Sequence, residues 1–440
     1  MRAIESLAPA VSRLESRDEA YRIAREAARR GVFTPRDDEQ LRLWYARYLT
    51  ARTGLLEVIN DLRPFALEGR PQISPADQLQ FFVIAYTAAC LLVRAARFLV
   101  FDFATDKIVQ RKLNEPDERL RIPRKQYTAV YRSLTSPVNA YHLSDAVRFA
   151  DDHRAEINAL NENPQMRTVL EYLKEAEPSL QVDMGEYVKA RLRYRWHSWR
   201  WRRASACQQM LFGILEACGC VIADVANPFH TDRMTGPVRR QLRKLLLPGD
   251  VIIARHDQVL SNLFLPGYWP HAALHIGPPS TRSQLPLRIS PEHAARWVKP
   301  KRVLEAKKDG VLFRRLQETI TVDALAVIRP RLTTRQIAEA ISQAVSHEGK
   351  LYNFDFDFFT ADRLVCTEVI YRAYDGIGGI RFELSRRGGM PTLSADDILT
   401  LAVEGGGFEP VALFGTPSVG KRLLTGPEAA AAMAESLRQT

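Results

Sequence analysis

The chain has 440 residues, 46% of them hydrophobic, and a formal net charge of +11. That length supports about two or three domains of ordinary globular composition, and the charge favours acidic partners without naming one. Five cysteines in so long a chain exclude a disulfide framework and point to a reducing compartment.

The first half reads as helix after helix. Thr34-Pro35-Arg36-Asp37 combines an N-cap hydroxyl, a helix-starting proline and an acid at the third position, and Ser74-Pro75-Ala76-Asp77 repeats the device. The helices they open are expected over Pro35–Leu62 and Pro75–Phe101. Shorter helical patterns follow over Ser144–Leu160 and Pro164–Ala176. The longest apolar run, Phe81–Val93, is shorter than the ~20 residues that span a bilayer, and reads as a buried helix. The first twenty residues lack a basic start followed by an apolar core, so no secretory signal is expected.

Lys189–Arg203 alternates basic residues with aromatic ones: Trp196, Trp199, Arg200, Trp201, Arg202 and Arg203 end it. A helix that buries its tryptophans under arginine stems explains the pattern most simply. Contact with an anionic membrane surface is the competing reading, ahead of nucleic acid. If lipid is the partner, removing Arg200, Arg202 and Arg203 weakens liposome binding. The location expected is cytoplasmic, peripheral to the membrane at most.

After His230 the pattern turns to strands. Pro248-Gly249-Asp250 leads into Val251–Ala254, and His271–Ile276 alternates, with His271, Ala273 and His275 on one face. Lys301–Ala306 and Val311–Phe313 flank an Asp309-Gly310 turn, as in a hairpin. Asp323–Ile328 is a further strand, and Thr333-Thr334-Arg335-Gln336 caps a helix ending near Gly349. A phenylalanine-rich loop over residues 354–359 follows, then a helical pattern around Cys366, a strand over Ile380–Leu384, a short helix from Ser394 and a strand over Phe408–Phe414. Three parts are expected: a helical domain of unknown role over 1–230, an α+β domain over 240–425 and a tail over 426–440.

Cys366 falls at a helix start, where unpaired N–H groups and the helix dipole favour a thiolate. Thr360, Asp362 and Thr367 offer capping oxygens there. A thiolate needs a base to serve as a nucleophile; His271 begins a strand upstream, and Glu305 lies on the next between Leu304 and Ala306. Cys366, His271 and Glu305 thus have the makings of a triad, with His275 the second candidate base and the Cys366 backbone N–H half of an oxyanion hole.

The ordered series Gly249-Asp250-Val251-Ile252, His271-Ala272-Ala273-Leu274-His275-Ile276-Gly277, Val303-Leu304-Glu305-Ala306, Tyr352 and Cys366-Thr367-Glu368-Val369-Ile370-Tyr371 resembles the circularly permuted NlpC-type papain-like cysteine hydrolases, the YiiX/YaeF-like group. The order His, Glu, Cys is the permuted one. The resemblance implies an antiparallel sheet packed on the cysteine helix, making the whole α+β with an all-α N-terminal domain. It also implies a Cys366 nucleophile, a His271 base and a Glu305 third residue, with His275, Tyr352 and Thr367 near the substrate. Amide or ester hydrolysis through a thioester follows, on a peptide, amide or acyl-ester substrate; lipid acyl transfer and an inactive domain are the alternatives. Thr367 stands where serine is more usual, and Ala272-Ala273 replaces the commoner Val-Gly. No cofactor is expected, and no metal: Cys218-Gly219-Cys220 with His230 matches no standard zinc spacing.

Overall fold

The computed structural model describes residues 1–16, 19–62, 65, 74–180, 210–211, 214, 234–255, 268–354, 358, 362–387 and 390–438. The basic aromatic stretch with Trp196, Trp199, Arg200, Trp201, Arg202 and Arg203 lies outside them, as do Cys218, Cys220 and His230. The chain divides into two compact units, one N-terminal through Phe229 and one from His230 to Thr440; Arg119–Arg121 group with the second.

The N-terminal unit is helical. Helix Pro35–Asp61 starts at Thr34, whose hydroxyl accepts the Asp37 N–H while the Asp37 carboxylate accepts the Thr34 N–H. Helix Pro75–Arg97 starts at Ser74, whose hydroxyl accepts the Asp77 N–H and donates to the Asp77 carboxylate. A π-helical turn, Phe98–Phe103, prolongs it. The stretch Ala76–Phe103 is long and apolar enough to cross a membrane by length and composition, longer than the apolar run alone suggested. Here 83% of its most apolar window is buried, against helices Arg2–Leu14, Pro35–Asp61 and Pro164–Ala176. The helix expected from Ser144 begins earlier, at Pro137, because Ser136-Pro137 supplies a cap; it runs to Asp152, and Arg154–Ala159 forms a separate short helix.

The second unit is built on a seven-stranded antiparallel sheet, in the order β11-β10-β5-β1-β2-β3-β4. Its strands are β1 (Val251–Arg255), β2 (His271–His275), β3 (Lys301–Lys307), β4 (Gly310–Arg315), β5 (Ala324–Pro330), β10 (Phe408–Phe414) and β11 (Leu423–Thr425). The central strands are buried on both faces, so they read as continuous apolar runs. Helix Cys366–Tyr374 packs on β2, β3 and helix Thr334–Val345. Tyr374 donates its hydroxyl to the Gly249 carbonyl, tying this helix to the entry of β1. Gly249 has φ +96°, and a Cβ there would meet Ile337 at 3.0 Å, so only glycine fits without a shift.

The strand expected over Ile380–Leu384 does not form. The backbone there closes the cysteine helix instead: Gly376 N–H donates to Ile380 O, and Phe382 N–H donates to the Asp375 carboxylate. The short strands β8 (Ser385–Arg387) and β9 (Met390–Thr392) come just after. Residues 426–438, expected as a tail, form a helix that packs on β10 and β11 and buries Ala429 and Met433.

Candidate active site

His271 opens β2, and Glu305 sits in the middle of β3. Their register pairs Leu274 with Leu304 and His275 with Val303. Continuing it sets Glu305 opposite Ala273 and diagonal to His271 on the same face, within reach of long side chains. His271 Nε2–H donates to the Glu305 carboxylate at 2.8 Å. That leaves Nδ1 for Cys366, whose thiol is held below its ordinary value by the ring. The sequence-expected cysteine, histidine and glutamate therefore come together.

Cys366 is the first residue of its helix, and the N-cap is Val365, with no side-chain capping bond. Two of the expected caps do not act: the Asp362 side chain is 74% exposed, and Thr367 lies inside the first turn; Thr360 is outside the described residues. The buried Glu368 carboxylate does that work, accepting the Val365 N–H at 3.2 Å while pairing with Arg372 at 2.8 Å. An acid three residues into a helix is a familiar N-terminal partner, and Cys366-Thr367-Glu368 carried the signal.

Burial pushes the Cys366 thiol up, but the His271 hydrogen bond and charge outweigh it and hold the thiol below its ordinary value. Backbone N–H groups of Ala272 and Thr367 add to this. Burial lowers His271, yet its bonds to Cys366 and Glu305 carry it up to about 9. The arrangement favours a thiolate beside an imidazolium.

Glu305 is fully buried, which alone would raise its carboxyl. Lys307, His271 and Arg314 reverse that and hold it well below the usual carboxylate range. Lys307 Nζ is 2.9 Å and Arg314 Nε 3.3 Å from Oε1, and the Thr319 hydroxyl donates to the same oxygen at 3.1 Å. Sequence reading missed all three partners. Lys307, two residues along β3, shares Glu305's face; Arg314 becomes a neighbour only once the β3–β4 register is known.

A second support lies before His271. The Asp396 carboxylate accepts the backbone N–H groups of Tyr268 and Trp269, both at 2.9 Å, fixing the approach to β2. The indole of Trp269 donates to Ser436 at 3.4 Å, so the C-terminal helix also bears on this approach. The Pro270 carbonyl lies 4.0 Å from Cys366 Sγ.

His275 lies four residues along β2 from His271, about 13 Å at ~3.3 Å per residue. Its Nδ1 donates to the Leu247 carbonyl at 2.9 Å, and burial lowers its pKa. Tyr352, on β6 (Leu351–Tyr352), is buried with its ring edge-on to Phe354. Thr367 is buried directly after the cysteine.

Residues 246–395 match the model of a family described as permuted papain-like amidase enzymes, YaeF/YiiX, C92. The C-terminal region carries a permuted papain-like domain. The match covers about a third of the chain and supports a cysteine hydrolase of the amidase kind. Neither the curated proteins nor the solved structures yielded a match to this chain.

Proposed function

We propose that the papain-like domain hydrolyses an amide or ester through a thioester on Cys366. The observation that carries this reading is the hydrogen-bonded His271–Glu305 pair beside Cys366 at a helix start, where the His271 charge holds the thiol below its ordinary value. The thiolate attacks the carbonyl carbon, forming the C–S bond, and the Cys366 backbone N–H faces the developing oxyanion. The His271 imidazolium then gives its proton to the leaving amine or alcohol as the C–N or C–O bond breaks. Neutral His271 next takes a proton from water, the oxygen attacks the thioester, and the C–S bond breaks. The carboxylic acid leaves, and sulfur returns as thiolate beside imidazolium. Glu305 holds the ring's orientation and favours its charged form; it exchanges no proton.

The test is to trap the thioester. An activated acyl ester is mixed with the full chain, quenched in acid and digested for mass spectrometry. The reading requires one acyl group on the Cys366 peptide in the wild type and none in Cys366→Ala. Acylation spread over lysines, unchanged in Cys366→Ala, contradicts it.

A further inference from the structure

The N-terminal unit carries a partly open pocket of about 490 Å³, within the ~300–1,000 Å³ range of small-molecule sites. It lies among helices Pro35–Asp61, Pro75–Arg97, Gln126–Leu134 and Pro137–Asp152. Its wall is largely aliphatic, with Leu56, Leu92, Leu134 and Leu143 among the lining residues. Its charges are of one sign: Arg52 and Arg97 line it, and among the described residues no aspartate or glutamate does. Among the described residues neither arginine forms an ion pair; Arg97 lies 5.8 Å over the Phe101 ring. Ser136 and Asn139, at the start of the 16-residue helix Pro137–Asp152, also line it, adding the positive end of a helix dipole.

Two lining aromatics are exposed: Phe101 is 55% and Tyr131 45% accessible. Phe101 sits in the π-helical turn, a distortion that often marks functional positions. An apolar wall, guanidinium groups without an ion pair among the described residues, and exposed aromatic side chains together suit a ligand with a hydrocarbon body and an anionic head. A guanidinium binds a carboxylate through two parallel hydrogen bonds, which an alcohol cannot reproduce.

We propose that this cavity binds a fatty-acid carboxylate, its head drawn to the cationic lining and its chain laid along the leucines. The site is independent of the Cys366 reading, since every described lining residue belongs to the N-terminal unit. The test is calorimetric titration of the full chain carrying Cys366→Ala, with laurate, dodecanol and dodecyltrimethylammonium as probes. Laurate should saturate a single site at least about tenfold more tightly than the other two. The double variant Arg52→Gln/Arg97→Gln should retain its helical circular dichroism and lose about tenfold or more in laurate affinity. Equal affinity for laurate and dodecanol would overturn the proposal. So would undiminished laurate binding by the double variant, or no laurate binding by a folded chain. Should the double variant lose its fold, Arg52→Gln alone decides by the same comparison.

Discussion

Each unit buries a cysteine, and the two surroundings act on sulfur in opposite directions. Cys90 lies inside helix Pro75–Arg97 with no exposed surface; burial pushes its thiol well above the ordinary range, and the Glu177 charge adds to that. Cys366 is nearly as enclosed, at 3% exposure, yet its thiol is held low. Burial penalises the thiolate in both places. What differs is the company: a helix interior with an acid nearby for Cys90, a helix start and a cationic imidazole for Cys366. Enclosure by itself disfavours the thiolate, and a positive charge set beside the sulfur favours it.

The sharpest way to break this contrast is to remove the charge. His271→Ala should slow acylation of Cys366 by about a hundred- to ten-thousand-fold, measured with an activated ester in single turnover. A tenfold or smaller loss would mean that another group serves as base. Next in size is the support behind the ring. Glu305→Ala leaves Lys307 and Arg314 beside a buried gap, and should cost about 3–5 kcal/mol in urea unfolding. Glu305→Gln keeps the shape and should be milder. A loss equal to that of Glu305→Ala would show the deficit to be electrostatic rather than steric.

Titration sharpens the same comparison. His271 is raised to about 9, so the imidazolium is present below that pH and lost above it. The turnover profile should fall on its alkaline side near pH 9. The stability His271 gives the fold should be full below its unperturbed 6.5 and lost as pH rises through about 9. An alkaline fall near 6.5 would contradict the pairing. The smallest expected effect is that of Thr319→Val, which removes one hydrogen bond to the Glu305 carboxylate. It should lower stability by about 1.5 kcal/mol and move the alkaline limb slightly down.

How much of this was legible depended on whether the signal was local. Caps and proline positions announced the starts of helices Pro35–Asp61 and Pro75–Arg97 to the residue, because a helix start is settled within four residues, whereas the end expected at Phe101 falls at Arg97. The short strands carried less, and Ile380–Leu384 looked like strand while its backbone groups were committed to ending a helix. For the site, residue type and chain order were enough to single out Cys366, His271 and Glu305. The cations that keep Glu305 ionised were not, because Arg314 becomes its neighbour only through the hairpin register. Asp396 was hidden for the same reason, acting on Tyr268 and Trp269 from a distant helix.

The central claim is that a lone imidazole converts a buried thiol into a thiolate. Alkylation of Cys366 by iodoacetamide, followed by peptide mass spectrometry from pH 5 to pH 10 in the wild type and in His271→Ala, tests it most directly. The account predicts that wild-type Cys366 reacts at pH values below its ordinary 9.0 and far ahead of Cys90. In His271→Ala its rate should rise only at a pH near or above the ordinary thiol value of 9.0. Superimposable profiles for the two proteins, both rising only in alkali, would contradict it.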